Sequence, residues 1–107
     1  MFKKIHTEDA KEETHYARMQ YKKAGFPVTK FGNKNCFLVS FDKNDGLFFS
    51  YKTPVAATIK GNLFVTEEKY STTTSRHISH YIKHCGYPKV NEMPEAFFEA
   101  LLEALGD

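Results

Sequence analysis

The sequence contains no tryptophan, only two cysteines and no long apolar run. A transmembrane helix needs about 20 apolar residues, so no membrane span is expected. The charged start of the chain lacks the apolar segment of a secretory signal. Cys36 and Cys85 do not form a Cys-x-x-Cys pair, so a redox motif is not indicated. We therefore expect a cytoplasmic protein with two free thiols and no role at a membrane.

The sequence also lacks the common catalytic signatures. It has no glycine-rich phosphate loop, no HExxH motif, no nucleophile elbow and no paired carboxylates. Asp42 and Asp45 fall in an expected hairpin turn. Cys36 begins an expected strand, and Cys85 lies on an expected apolar helix stripe. These positions are typical of turns and packing, so no catalytic residue and no cofactor are predicted, and a non-enzymatic protein is favoured.

Charge is distributed unevenly along the 107 residues, a length that suits one domain, 1–107. Residues 69–89 carry four Lys and Arg residues and no acid, whereas residues 90–107 carry five acids and no base. An anionic partner would be attracted by the first segment and repelled by the second.

Hydrophobic periodicity indicates an α+β fold. A helix is expected over 7–24, with Thr7 as a possible cap and Gly25 at its end. Alternating segments at 36–42, 47–51, 55–59 and 63–67 predict strands, and Asp45-Gly46 predicts a tight hairpin turn. One helix should begin between Ser71 and Ser75, and another should run from Pro94 to Leu105. The prediction is a four-stranded antiparallel meander with one N-terminal and two C-terminal helices.

The same periodicity predicts which side of each helix and strand is buried. Residues 28–35 are expected to be a short extended piece and a turn. The first helix should bury Ala10, Thr14, Ala17, Tyr21 and Ala24. The better apolar face of the sheet should hold Phe37, Val39, Phe41, Leu47, Phe49, Val55 and Ile59. A two-residue turn at Gly61 would add Phe64 to this face, and a three-residue turn would add Leu63 and Val65 instead. The last helix is apolar over a wide arc, so it either packs deeply or forms a homodimer.

The segment from Lys69 to Gly86 has the most unusual composition. Ile78, Tyr81, Ile82 and Cys85 follow helical spacing and predict a core stripe. Before them, hydroxyl side chains and an arginine at a helix start offer the groups of an anion site. Redundant capping is the simpler interpretation. The candidate residues for binding an anion or a partner are Tyr70, Ser71, Thr73, Thr74, Ser75, Arg76, His77, His80 and Lys83.

Three histidines, His77, His80 and His84, fall on one side of this helix. Imidazoles three or four residues apart can share a metal ion, but a full site needs further ligands. No acid is near them in the sequence, and Cys85 belongs to the apolar stripe. A polar helix flank is the simpler interpretation, so these residues are only weak metal candidates.

Two segments resemble a group of small uncharacterised proteins, mostly from bacteriophages and prophages. Their shared motifs, SYxTPVA and YSxTTS(R/K)H, match Ser50 to Ala56 and Tyr70 to His77. The resemblance covers residues 47–84 and implies a strand, a short β-hairpin and a helix. It implies a phage or mobile-element origin and supplies no catalytic role.

Three hypotheses follow. The leading one is a phage-type accessory protein that binds a host or phage macromolecule. A protein is the favoured partner over a nucleic acid. One role for such a protein is to counter a host defence system. The second is a nucleic-acid-binding module that uses Arg76, His77, His80, Lys83 and the basic flank of the first helix. The third is a metal-binding protein or small enzyme that uses the histidine row.

Overall fold

The computed structural model describes residues 7–32 and 34–106. The first six residues, Asn33, Asp107 and the side chains of 7–10 lie outside this description, and so do the expected Thr7 cap and the expected burial of Ala10. The elements are α1 (Thr7–Lys23), β1 (Val28–Lys30), β2 (Cys36–Ser40), β3 (Gly46–Ser50), β4 (Thr53–Ile59), β5 (Asn62–Thr66), α2 (Thr72–Cys85), β6 (Val90–Met93) and α3 (Glu95–Gly106).

The strands form one six-stranded sheet in the order β1-β2-β3-β4-β5-β6. Neighbours from β1 to β5 are antiparallel, and β6 is parallel to β5. The α+β class and the four central strands are confirmed, but the prediction of a purely antiparallel four-stranded sheet is wrong. It omitted the edge strand Val90–Met93 and expected Val28–Lys30 only as an extended piece outside the sheet, since both strands are short and carry no clear apolar alternation. Two neighbouring parallel strands need a crossover between them, and α2 is that crossover.

Helices cover both faces of the sheet. On one face, α2 packs its stripe of Ile78, Tyr81, Ile82 and Cys85 against Phe48 and other buried strand residues. The predicted core stripe of this helix is therefore confirmed. We call this the α2 side of the sheet.

The opposite face holds a second apolar cluster that includes Phe37, Phe49 and Phe98. The helices α1 and α3 cover it. In α1, Thr14 is fully buried, and Ala17 and Tyr21 pack against the cluster, as predicted. Ala24 is exposed beyond the end of the helix, so its predicted burial is wrong.

The wide apolar face of the last helix packs within the domain. Phe98 is fully buried, and Leu101, Leu102 and Leu105 pack against the same cluster. An apolar groove remains open beside Leu101 and Leu105, next to Phe26 and Phe41. Deep packing is thus the observed use of this helix, and a homodimer stays a prediction.

A bulge in β4 moves one residue to the unexpected face. The register between β3 and β4 shifts at Phe48 and Phe49, which pair with Ala56 and Pro54 and leave Val55 between them. Val55 therefore joins the α2 side, with Ala56. Its predicted place beside Phe49 is wrong because a bulge adds one residue to the period of two.

The turn between β4 and β5 has two residues, which decides between the two turn lengths considered from the sequence. Ile59 pairs with Asn62, so the loop is the two residues Lys60 and Gly61, both with positive φ. Such a pair of dihedrals is typical of the tight turns of hairpins. As expected for a two-residue turn, Phe64 packs on the Phe49 side, and Leu63 and Val65 lie on the α2 side.

The loop between β2 and β3 is longer than predicted. Ser40 pairs with Gly46, so Phe41 to Asp45 form the loop and Gly46 begins the strand. Asp45 Oδ1 accepts a hydrogen bond from the backbone N–H of Lys60 at 2.8 Å and so links two neighbouring hairpin loops. No helix in the described ranges is both long enough and apolar enough to span a membrane.

Candidate binding site at the start of α2

The start of α2 is fixed by one capping residue. Ser71 has an extended backbone, φ −147° and ψ 167°, and its Oγ accepts the backbone N–H of Thr74 at 3.1 Å. This is the usual arrangement of an N-cap. Among the described residues, Ser71 is the hydroxyl that accepts a backbone N–H of the first turn, so the hydroxyl-rich stretch is not a set of equivalent caps.

The inward hydroxyls connect α2 to the sheet. Ser50, the last residue of β3, places its Oγ 2.9 Å from Thr74 Oγ1 and 2.8 Å from His77 Nδ1. All three side chains are buried, with Ser50 2 % exposed, Thr74 6 % and His77 4 %. A buried polar group without a partner is costly, and here each group satisfies another. This trio forms a polar link between helix and strand.

The capping residue Ser71 extends this link by one more hydrogen bond. The Ser71 hydroxyl donates to Thr74 Oγ1 at 3.3 Å. Either hydroxyl can donate in the bond between Thr74 and Ser50, and the direction of the bond between Ser50 and His77 Nδ1 follows from the tautomer of the ring. A neutral imidazole that accepts at Nδ1 carries its hydrogen at Nε2. We call this series from Ser71 to His77 the hydroxyl chain.

The surroundings of His77 favour the neutral ring. Burial lowers the pKa of His77, and the positive charges of Lys34 and His80 lower it further. Lys34 comes from the loop between β1 and β2, so a second element approaches the helix start. The ring of Tyr51 lies 5.6 Å from that of His77. Tyr51 has φ 58°, a left-handed conformation that a bulky residue adopts at a cost of about 1–3 kcal/mol.

The other two histidines have different surroundings. The exposed His80 and His84 place their rings edge-on to Phe31, at centroid distances of 5.5 and 5.1 Å. In the described part of the chain, no group of three or more His, Cys, Asp or Glu side chains is arranged to hold a metal ion. The histidine row therefore consists of one residue in the polar link and two that pack against an aromatic ring.

The remaining candidates divide into an exposed and a half-buried set. Arg76, His80 and Lys83 are exposed on α2, as are Thr73 and Ser75. Tyr70 is half-buried against the core of the α2 side. Burial and the Glu95 carboxylate raise its pKa to about 12, yet no group in the described ranges meets Tyr70 Oη with hydrogen-bond geometry.

The thiols are poor nucleophiles at neutral pH. Cys36 is fully buried, which raises its pKa to about 11, and burial also raises the pKa of Cys85. A thiol reacts through its thiolate, so both sulfurs are held in the inert form. Both cysteines are free.

Several residues of this site were not singled out from the sequence. Ser50 is the first residue of the SYxTPVA motif, so the resemblance drew attention to this position. Only the fold shows that Ser50 faces His77. Tyr51 belongs to the same motif but is not among the candidate binding residues. Lys34 and Phe31 lie in an expected turn, and no pattern indicated that this turn reaches α2.

The two motifs that carried the resemblance therefore meet in space, through Ser50 in the first and Thr74 and His77 in the second. No curated protein and no solved structure matches the chain. A family model does match, over residues 4–100, and its description is a family of unknown function, DUF8033. The chain belongs to this family.

Proposed function

We propose that this chain is a non-enzymatic accessory protein of phage type that binds an acidic protein of the host or the phage through the exposed side of α2. The observation that carries the proposal is the charge of that surface. Arg76 and Lys83 are exposed, and no acid occurs between Lys69 and Asn91. Among the described residues, the one ion pair joins Lys52 and Glu13, so neither Arg76 nor Lys83 is paired with a described acid.

The polar groups of the site support binding over catalysis. A nucleophile and its base must reach a substrate, but Ser50 and His77 are nearly inaccessible and bond to each other. The exposed hydroxyls of Thr73 and Ser75 have no hydrogen bond to an imidazole among the described residues. Exposed cations beside hydroxyls are typical of a surface that recognises a polar partner.

A protein is favoured over a nucleic acid by the number of charges. A protein that tracks nucleic acid commonly neutralises about six to ten phosphates. The exposed side of α2 offers two full cations, Arg76 and Lys83, and Lys34 adds a third from the neighbouring loop. On the opposite side of the sheet, α3 carries exposed Glu99 and Glu103, which would repel a long anionic polymer.

The test is affinity capture from host lysate with matched charge variants. The wild type and the control Lys11→Glu/Lys43→Glu should retain the same acidic protein, and Arg76→Glu/Lys83→Glu should lose it. Both variants change the net charge equally at exposed positions. The proposal is contradicted if both variants retain the same proteins, or if a mobility-shift assay shows tight DNA or RNA binding that depends on Arg76 and Lys83.

A further inference from the structure

An apolar groove remains open on the face of the sheet that α1 and α3 cover. Its volume is about 320 Å³, and it is lined by Phe26, Phe41, Leu101, Ala104 and Leu105. Four of these side chains are half-buried and that of Ala104 is exposed, so the groove opens to solvent. A small-molecule site needs a few polar groups that fix the orientation of the ligand. This lining contains no polar side chain, so the groove suits an apolar side chain of a protein.

The outer side of α1 carries such side chains. Among the described residues, three large apolar side chains are exposed, and two of them, Tyr16 at 67 % and Met19 at 38 %, belong to α1. They are three positions apart and are therefore neighbours on the helix surface. Thr14, Ala17 and Tyr21 occupy the inner side of the helix, so Tyr16 and Met19 point away from the sheet. Neither of them lines the groove of its own chain, and a second copy would bring them to it.

The charges of the two helices are complementary. After Glu13, α1 has three Lys and Arg residues and no acid, whereas α3 has three acids and no base. The exposed members of the two sets are Lys22, Lys23, Glu99 and Glu103. None of these four forms an ion pair with another residue in the described part of the chain. The second half of α1 is therefore attracted to the exposed side of α3 in another copy.

We propose that two copies of the chain form a two-fold symmetric dimer in which α1 of each copy docks on α3 of the other and places Met19 in the apolar groove. Both copies use the same surface in such a dimer, so each contact is made twice. A dimer through α3 alone would bring Glu99 and Glu103 against the same acids, and a dimer through α1 alone would bring bases together. The charges thus favour the pairing of α1 with α3, which we call the α1–α3 dimer.

This dimer leaves the α2 side of both copies exposed. The helix α2 packs on the opposite face of the sheet from α1 and α3, so docking of α1 on α3 does not cover it. The dimer therefore presents two copies of the basic α2 surface. Two linked surfaces bind a repetitive partner more tightly than one, although no new contact is formed.

The first experiment is sedimentation velocity of the full chain over a range of concentrations. The wild type should change from monomer to dimer as the concentration rises. A monomer up to millimolar concentration overturns the proposal. Species larger than a dimer contradict the two-fold arrangement, because a surface that both copies use is closed once two copies have met.

Neutral variants test the apolar contact. Met19→Gln removes the apolar side chain, and Ala104→Gln places a long polar side chain at the groove. Loss of about tenfold at each of two contacts should raise the dimer Kd about 100-fold. Ser79→Gln puts the same side chain on the exposed side of α2 and should not change the Kd. All three positions are exposed, and circular dichroism checks that the fold is retained. Equal Kd values for Met19→Gln and Ser79→Gln overturn the placement of Met19 in the groove.

Charge reversal followed by mixing identifies which helices meet. Lys22→Glu/Lys23→Glu makes the end of α1 acidic, and Glu99→Lys/Glu103→Lys makes α3 basic. Each variant alone should be monomeric where the wild type is dimeric, because like charges then meet at both contacts. In the equimolar mixture, opposite charges meet again at both contacts, so a heterodimer should form. The pairing of α1 with α3 is wrong if either variant alone dimerises like the wild type, or if the mixture stays monomeric.

The dimer and the proposed function are tested separately. Arg76→Glu/Lys83→Glu should dimerise like the wild type, because both positions lie on α2. A monomeric wild type that captures its acidic partner in a charge-dependent way rejects the dimer and leaves the proposed function standing. A dimeric wild type whose capture is unchanged in Arg76→Glu/Lys83→Glu rejects the proposed function and leaves the dimer standing.

Discussion

Ser50 Oγ lies 2.8 Å from His77 Nδ1, and this contact joins the end of β3 to the first turns of α2. The two residues are 27 positions apart, and each belongs to one of the two motifs that carried the resemblance to phage proteins. A serine at this strand end and a histidine in the second turn of the helix are therefore parts of one structural unit. The hydrogen bond holds the first turns of α2 against the end of β3, and the opposite, charged side of α2 lies exposed to solvent.

Removal of the Ser50 hydroxyl should destabilise the fold. In Ser50→Ala, His77 Nδ1 and Thr74 Oγ1 each lose a buried partner, and an unsatisfied buried group costs about 1–3 kcal/mol. Urea denaturation should show this decrease in the free energy of unfolding. Ser75→Ala removes an exposed hydroxyl from the same helix and should change stability by less than about 0.5 kcal/mol. Equal stabilities of the two variants would show that the polar link contributes nothing.

Stability should decrease in mild acid because of His77. Burial, Lys34 and His80 lower the pKa of His77 in the folded protein. The unfolded chain has an ordinary histidine pKa of about 6.5, so it takes up the proton first as the pH falls. Between that value and the lower folded pKa, the unfolded state binds more protons, and the free energy of unfolding falls with the pH. Above this window, both states are neutral at His77 and the contribution is constant.

Urea denaturation at several pH values between 7.5 and 5 measures this dependence. The groups that face His77 are Lys34 from the β1–β2 loop, His80 on the same helix and the Tyr51 ring. His77→Gln does not titrate, so its stability should vary less over this range. If the free energy of unfolding of His77→Gln falls with pH as steeply as that of the wild type, groups other than His77 cause the acid sensitivity.

The sequence predicted the parts of the fold that have strong local signals. The apolar stripe predicted the buried side of α2, since periodicity is a local property, and the start of the helix was predicted only as lying between Ser71 and Ser75, whereas it begins at Thr72. The edge strands were missed because Val28–Lys30 and Val90–Met93 are short, and their pairing depends on residues far away in the chain. The Val55 bulge was also not predicted, because it depends on how β4 pairs with β3.

The site was predicted less well than the fold for the same reason. Arg76 and Lys83 are exposed, as helical spacing indicates by separating them from the apolar stripe. Helical spacing placed His77 with His80 and His84 but could not show that it turns to Ser50. That partner lies on a strand, and its distance from His77 depends on how α2 crosses the sheet.

The helix start offers a test of whether the hydroxyls are redundant caps. Ser71 Oγ accepts the Thr74 N–H and donates to Thr74 Oγ1. Ser71→Ala removes both bonds, and loss of an N-cap costs about 1 kcal/mol. Thr73→Ala alters an exposed neighbour and should be nearly neutral by the same denaturation measurement. A neutral Ser71→Ala would mean that another hydroxyl takes over the cap.

A glycine in β3 supports the α2 side through packing. Gly46 has no left-handed φ, but a Cβ built on it would lie 2.8 Å from Leu38 Cδ1, closer than carbon atoms pack. Gly46→Ala should therefore force the half-buried Leu38 side chain to rotate, and because Cδ1 is the far end of a flexible side chain the cost should be about 1 kcal/mol or less, the low end of overpacking. Thermal or urea denaturation measures the effect.

The double variant separates packing from backbone conformation. Leu38→Ala removes the atoms that the new Cβ would meet, so Gly46→Ala should cost less in that background. Such a coupling between two contacting residues is what a double-mutant cycle detects. If Gly46→Ala lowers the free energy of unfolding equally in both backgrounds, contact with Leu38 contributes nothing to its effect. The effect would then come from the backbone of the strand.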